Sequence, residues 1–320
     1  MTSRTGILAF ILSVVGIGLL VSLLVILWQK GRTRRIAVTG YLFMGPSFIH
    51  LFLFFIGPMA FILYLAFHQW NIVDPVKPFI GLKNFVDLFR DDLFWGALKN
   101  TLLYTLHVPV AMALSLGIAA LLNQEIRGVT LWRTIFFLPA VTSYVAIAMV
   151  WQWMYHPHFG FINYLLNFLG LGPYPWLTSP TTALLSIMIM AVWIQIGYQM
   201  VIFLAGLQSI PLHYYEAAII DGASGWQRFR RITLPLLKPT TFFVLVTSVI
   251  SSFQVFTSVF VMTEGGPSRS TDVAVYHVYQ QGWEYLKMGY ASAMALVLLA
   301  IILVVTLIQF KFLGKQVDYA

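Results

Sequence analysis

Apolar positions in this chain fall in long unbroken runs, separated by shorter stretches where polar residues collect. Seven runs are long enough to cross about 30 Å of hydrocarbon as helices. They lie near 6–28, 43–67, 97–122, 132–155, 182–206, 240–262 and 289–312. Backbone polar groups inside a bilayer must be satisfied within the segment, so the runs are read as helices and the polar stretches as lying in water. The pattern predicts an all-α integral membrane protein. The run at 6–28 exceeds the apolar core of a cleaved leader and lacks a small-residue cleavage site after it, so it is read as a retained span.

One polar stretch has its own grammar. Between the runs ending near 206 and starting near 240, residues 216–235 read EAAIIDGASGWQRFRRITLP. Ser209 and Pro211 signal the start of one helix, and Gly222 closes it in the left-handed conformation. Ser224 with Gln227 forms a capping box for a second helix, and Pro235 is expected to end it. A helical hairpin on an aqueous face is built to dock a partner.

The spacing Glu216-Ala217-Ala218, then Asp221-Gly222, then Ile232-x-Leu234-Pro235 resembles the EAA loop of binding-protein-dependent ABC importer permeases. Phrases in the loops at 68–96 and 263–288 are similar to those of carbohydrate-type members, of the maltose and glycerol-phosphate permease kind. The resemblance implies a six-helix permease core over 35–315, with the coupling loop at 208–239 and the helix at 6–28 as an addition. It also implies a second permease subunit, two ATP-binding subunits carrying ATP and magnesium, and an extracytoplasmic solute-binding protein. In that setting Glu216 is the charge-assisted anchor to an ATPase and Gly222 supplies the turn, while Ala217 and Ala218 allow close approach.

Composition sharpens the reading. Of 320 residues 59% are hydrophobic and only 9% charged, against about 25% charged in soluble domains. Twelve of the 19 Lys and Arg, but four of the 11 acids, fall on the side that carries the hairpin. The whole formal charge of +8 therefore sits on one face, which makes that face cytoplasmic. The N-terminus is then outside and the C-terminus inside, in a bacterial inner membrane. The basic balance follows from topology and calls for no nucleic-acid partner; the Arg228–Arg231 cluster is positioned for an ATPase surface or anionic lipid.

Candidate chemistry is sparse. With no cysteine there is no thiol chemistry, no phosphate-binding loop is present, and no charged residue lies deep in a run. Energy is expected from partner ATPases, which sets an ion-coupled carrier behind an ATP-driven one. His50 and His107 are the ionisable groups inside runs, read as hydrogen-bonded neutral histidines. His156 and His158 lack a third ligand for a metal, and Trp151, Trp153 and Tyr155 are read as an aromatic belt. A solute rich in hydroxyls needs uncharged polar and aromatic groups. Gln195, Tyr198 and Gln199 cluster before the hairpin; Ser248, Ser251, Ser252, Gln254 and Ser258 follow it, with 248, 251 and 258 expected on one helical face. These eight are the candidate substrate-pathway residues for a carbohydrate, with a non-sugar solute as the alternative and interhelical hydrogen bonding as the competing role. In the outside loops, Leu82–Phe89 after Gly81 is expected to lie along the membrane, and Phe161–Leu169 to dip toward the pathway mouth.

Overall fold

The computed structural model describes residues 32–313, with side chains from 39 onward. The expected span at 6–28 lies outside these residues. The described chain is almost wholly helical, with a lone antiparallel bridge, His68 to Phe79, as its extended pairing. Four helices are long and apolar enough to cross a membrane: Thr39–Ala66, Asp92–Leu122, Ala183–Gln208 and Met288–Phe312. Two bent helix pairs bring the number to six if each pair is one span. The 26 residues of Ala183–Gln208 measure about 39 Å at 1.5 Å per residue, enough to cross.

The chain forms two compact units, one of 32–90 with Gln280–Val297 and one of Asp91–Tyr279 with 298–313. In the first, Thr39–Ala66 contains a π-helical turn at Phe52–Ile56, and Pro58 follows two residues later. Proline has no N–H and crowds the preceding turn, and a π-turn absorbs that misfit without ending the helix. The same order recurs in the second unit, where a π-turn at Phe229–Thr233 precedes Pro235. The expected helix end at Pro235 is therefore displaced: the helix runs on to Leu236 and turns by 63° into Lys238–Phe253.

The second unit is centred on Ala183–Gln208. Its Met200, Phe203, Leu204 and Leu207 pack against Val108, Met112 and Leu122 on one side and Val244, Val249 and Phe253 on another. Arg133 donates to the carbonyl of Leu122 at 2.9 Å, placing a cation at that helix's negative end. Two expected straight spans are broken. Within 132–155 the helix stops at Val141 and restarts at Tyr144, with a bend of 97°. Pro139 removes a backbone donor near that end, and the Thr142 hydroxyl takes the Leu138 carbonyl at 2.9 Å. Within 240–262 the helix ends at Phe253 and a short one, Thr257–Met262, follows an irregular turn that contains neither glycine nor proline.

The belt reading of Tyr155 is corrected as well. It is 1% exposed, donates to the Ser186 carbonyl at 3.0 Å and packs on Trp176; Trp151 is half-buried, and of the three Trp153 alone is exposed. The phenol finds a carbonyl partner only because its helix restarts after the break beside Ala183–Gln208.

Candidate functional site

The hairpin forms from local signals. Pro211 takes an extended conformation ahead of helix Leu212–Ile220. Gly222, at φ 75°, ends it; the Ala223 N–H donates to the Ala218 carbonyl at 2.9 Å and the Gly222 N–H to that of Ile219 at 3.0 Å. These bonds satisfy carbonyls that the helix end would leave open, and the positive φ excludes most side chains. The capping box is complete: the Gln227 N–H donates to Ser224 Oγ, and the Ser224 N–H to Gln227 Oε1 at 2.8 Å. One tie joins the two helices, a hydroxyl contact of 2.9 Å between Tyr215 and Thr233.

Helix Leu212–Ile220 buries no residue. Glu216, Ala217, Asp221, Gly222 and Pro235 are exposed, and Ala218, Ile232 and Leu234 are half-buried. Around Glu216 the hairpin also displays Leu212, Ile219, Ile220 and Trp226, with Ile220 86% and Trp226 68% exposed. Large apolar side chains are thus held out on a segment that also carries charge. Spacing pointed to the EAA residues; that the apolar neighbours stand outward was visible only in three dimensions.

The pathway candidates divide. Gln199 is buried and makes three side-chain hydrogen bonds: Nε2 donates to Gln195 Oε1 at 3.1 Å and to Ser248 Oγ at 3.0 Å, and Oε1 accepts from Ser115 Oγ at 3.1 Å. Gln195, half-buried, pairs through Nε2 with His107 Nε2 at 2.9 Å. His107 Nδ1 faces the Tyr104 carbonyl and must carry the proton there, which leaves Nε2 to accept from the amide. Five side chains thus form one chain of hydrogen bonds across three helices. A second link runs from Ser252 Oγ to Thr105 Oγ1 at 2.9 Å. Ser258 is buried beside the Tyr104 and Tyr144 hydroxyls.

Tyr198, Ser251 and Gln254 are exposed. The common face expected for 248, 251 and 258 is not completed, because the break after Phe253 places Ser258 on another helix; Ser248 and Ser251 stay one turn apart on Lys238–Phe253, the first buried and the second exposed. His107 is buried with two partners, whereas His50 is exposed beside Phe54. Ser115 and Thr105 were missed by sequence reasoning, since isolated hydroxyls in apolar runs carry no distinguishing signal. So was a buried pair in the 263–288 loop, where His277 Nδ1 meets Asp272 Oδ2 at 3.0 Å and Asn100 binds the carbonyls of Arg269 and Asp272.

Comparison with known proteins places the arrangement in a class. Residues 111–315 match the family described as "Binding-protein-dependent transport system inner membrane component", and the chain belongs to it. Similar over most of its length is the probable ABC transporter permease protein YesP of Bacillus subtilis, 40% identical over 91% of this chain and 96% of that one. The sn-glycerol-3-phosphate transport system permease protein UgpA of Agrobacterium fabrum is 35% identical over 87% and 96%. A crystal structure of a bacterial ABC transporter involved in import of the acidic polysaccharide alginate superposes with a TM-score of 0.79 at 26% identity, covering 89% of this chain and 98% of that one. The protein is a multi-pass ABC importer permease, a transport component.

Proposed function

We propose that this chain is one of two permease subunits of an ATP-driven, binding-protein-dependent importer of a carbohydrate, and that its hairpin couples the membrane bundle to cytoplasmic ATPases. The observation that carries the coupling is the hairpin surface itself. Glu216 stands among outward apolar side chains, a docking patch that also carries exposed Asp221, on a segment whose second helix is held by a complete capping box. Glu216 is the anchor to a basic ATPase residue, because a charge-assisted hydrogen bond is about twice as strong as a neutral one. Gly222 gives the turn and Ala217 and Ala218 the close approach, while Asp221, Ile232, Leu234 and Pro235 shape the socket-facing end. The hairpin face is cytoplasmic, where the basic residues are concentrated.

Carbohydrate as the solute rests on the uncharged polar set. Tyr198, Ser251 and Gln254, exposed on the single chain, together with half-buried Gln195, are the members free to meet a solute. Gln199, Ser248 and Ser252 hold the helices behind them, and Ser258 is buried. A solute of hydroxyls and apolar faces suits this set, and no Lys or Arg is among it. The relatives named for glycerol phosphate favour a sugar phosphate as second reading; the missing cation weighs against it.

The test is uptake into proteoliposomes that hold the whole assembly, with the binding protein and a panel of sugars outside. Uptake is expected to need internal ATP and to survive collapse of the ion gradients, and the chain alone is expected to hydrolyse no ATP. Uptake abolished by ionophores with ATP present would replace the ATP-driven reading by an ion-coupled one.

A further inference from the structure

The segment between the broken helix and Ala183–Gln208 contains a helix whose outward face is apolar. Phe161–Phe168 forms as eight residues. Phe161, Tyr164, Leu165 and Phe168 follow one stripe at helical spacing, and all are exposed, Phe168 by 85% and Tyr164 by 69%. From 156 to 181 there is no Lys, Arg, Asp or Glu. A helix lying in water would turn its polar residues outward; this one presents aromatic rings instead.

Its position is fixed by the backbone. A Cβ on Gly160 would lie 2.4 Å from the Met154 carbonyl oxygen and 2.5 Å from that of His156. The helix therefore starts in contact with the last turn of Tyr144–Met154 and cannot stand away from it. Asn163, 1% exposed, locks this arrangement with all four of its amide's hydrogen-bonding positions. Nδ2 donates to the carbonyls of His156 at 3.3 Å and Tyr174 at 3.1 Å. Oδ1 accepts from the Tyr174 N–H at 3.0 Å and from Trp176 Nε1 at 3.1 Å. Within the other unit, Gly81-Leu82-Lys83-Asn84 repeats the pattern: Asn84 Nδ2 takes the Ala66 and His68 carbonyls at the end of Thr39–Ala66. In both places an asparagine three residues after a glycine closes the end of a preceding helix and fixes a short helix beside it.

We propose that Phe161–Phe168 is an interfacial anchor, seated in the uncharged headgroup and acyl boundary of the leaflet opposite the hairpin. Ala183–Gln208 crosses the membrane with the hairpin at its far end, so this segment lies on the other face. The preceding helix also exposes an apolar row at helical spacing, Val145, Met149 and Trp153. Tyr is enriched at bilayer interfaces and Phe and Leu form the buried face of interfacial helices, and a charge-free loop avoids the cost of desolvating a charge there. The occupant is lipid, and a dip toward the pathway mouth gives way to this reading.

The chain has no native cysteine, which allows single nitroxide labels at Tyr164→Cys, Phe168→Cys and, as a water reference, Thr178→Cys. Each labelled chain is assembled into the complete transporter in phosphatidylcholine nanodiscs. The ratio of oxygen to nickel-chelate accessibility is expected to be severalfold higher at 164 and 168 than at 178. Ratios at 164 and 168 as low as that of a nitroxide label free in buffer would put the helix in water and overturn the proposal. Shielding of 164 and 168 from both reagents, appearing only when the other subunits or the binding protein are added, would assign the face to a protein partner instead.

Discussion

The hairpin and the buried polar chain are both made of uncharged and weakly polar contacts, yet they are built on opposite principles. Hairpin contacts run mostly over three to five residues: Ser224 to Gln227, Gly222 to Ile219, Ala223 to Ala218. Its outward side chains, Glu216, Ile219 and Ile220, are left exposed. In the bundle, Gln199 reaches Ser115 across 84 positions and Ser248 across 49, and both of its amide N–H groups are taken. The first region is ordered by itself and unsatisfied toward the outside. The second has no order without the fold and is satisfied within it. The difference teaches where to look for function: polar groups already saturated hold helices together, and groups held rigid but unpaired are the ones a partner or solute can use.

The largest effect should come from breaking the exposed side of this contrast. Glu216→Lys removes a charge-assisted contact worth about 1.5–3 kcal/mol. Gly222→Asp adds strain at a positive φ. Either should cut uptake of every solute together by about 10- to 100-fold, an order set by the same contact energy. Capture by the binding protein should stay unchanged. Uptake assays beside pull-down of the ATPases check this; a shift in solute preference with ATPase association intact would sink the coupling assignment.

Next comes the saturated side. Gln199→Leu strands Gln195 Oε1 and the Ser248 hydroxyl in an apolar bundle, while Ser115 keeps the Ala111 carbonyl; the cost is about 1–3 kcal/mol for a buried unsatisfied group. Thermal unfolding of the detergent-purified chain should report lower stability, with no change in which sugars compete. An unchanged melting profile would mean the network contributes nothing to helix packing. Gln195→Ala and Ser251→Leu sharpen the comparison from the other direction: the complex should assemble normally while uptake changes unequally across a sugar panel. A uniform change across the panel would move these residues to the structural side. The smallest effect is expected for Ser224→Ala, which loses the capping box at about 1 kcal/mol. Faster amide exchange confined to 224–229 would register it, and exchange rates equal to the parent's would show that the cap is not holding this turn.

The sequence alone determined the parts that obey short-range rules. Long apolar runs must become helices in hydrocarbon, so the membrane class and the rough places of the described spans were legible. Glycine, proline and capping residues act within four or five positions, so the turn at Gly222 and the box at Ser224 were legible too. Only the tertiary structure decided which helices are broken and which polar groups meet. Nothing between Gln254 and Phe256 is a conformational breaker, and the turn there brings Val255 and Val259 into the same buried cluster as Ile187 and Met190. Proline positions were visible at Pro58 and Pro235, but whether a helix ends or takes up a π-turn depends on the packing on either side. Ser115, His107 and Gln199 become one network because three helices bring them within hydrogen-bond reach, and no local rule reports the distance between residues 84 or 88 positions apart.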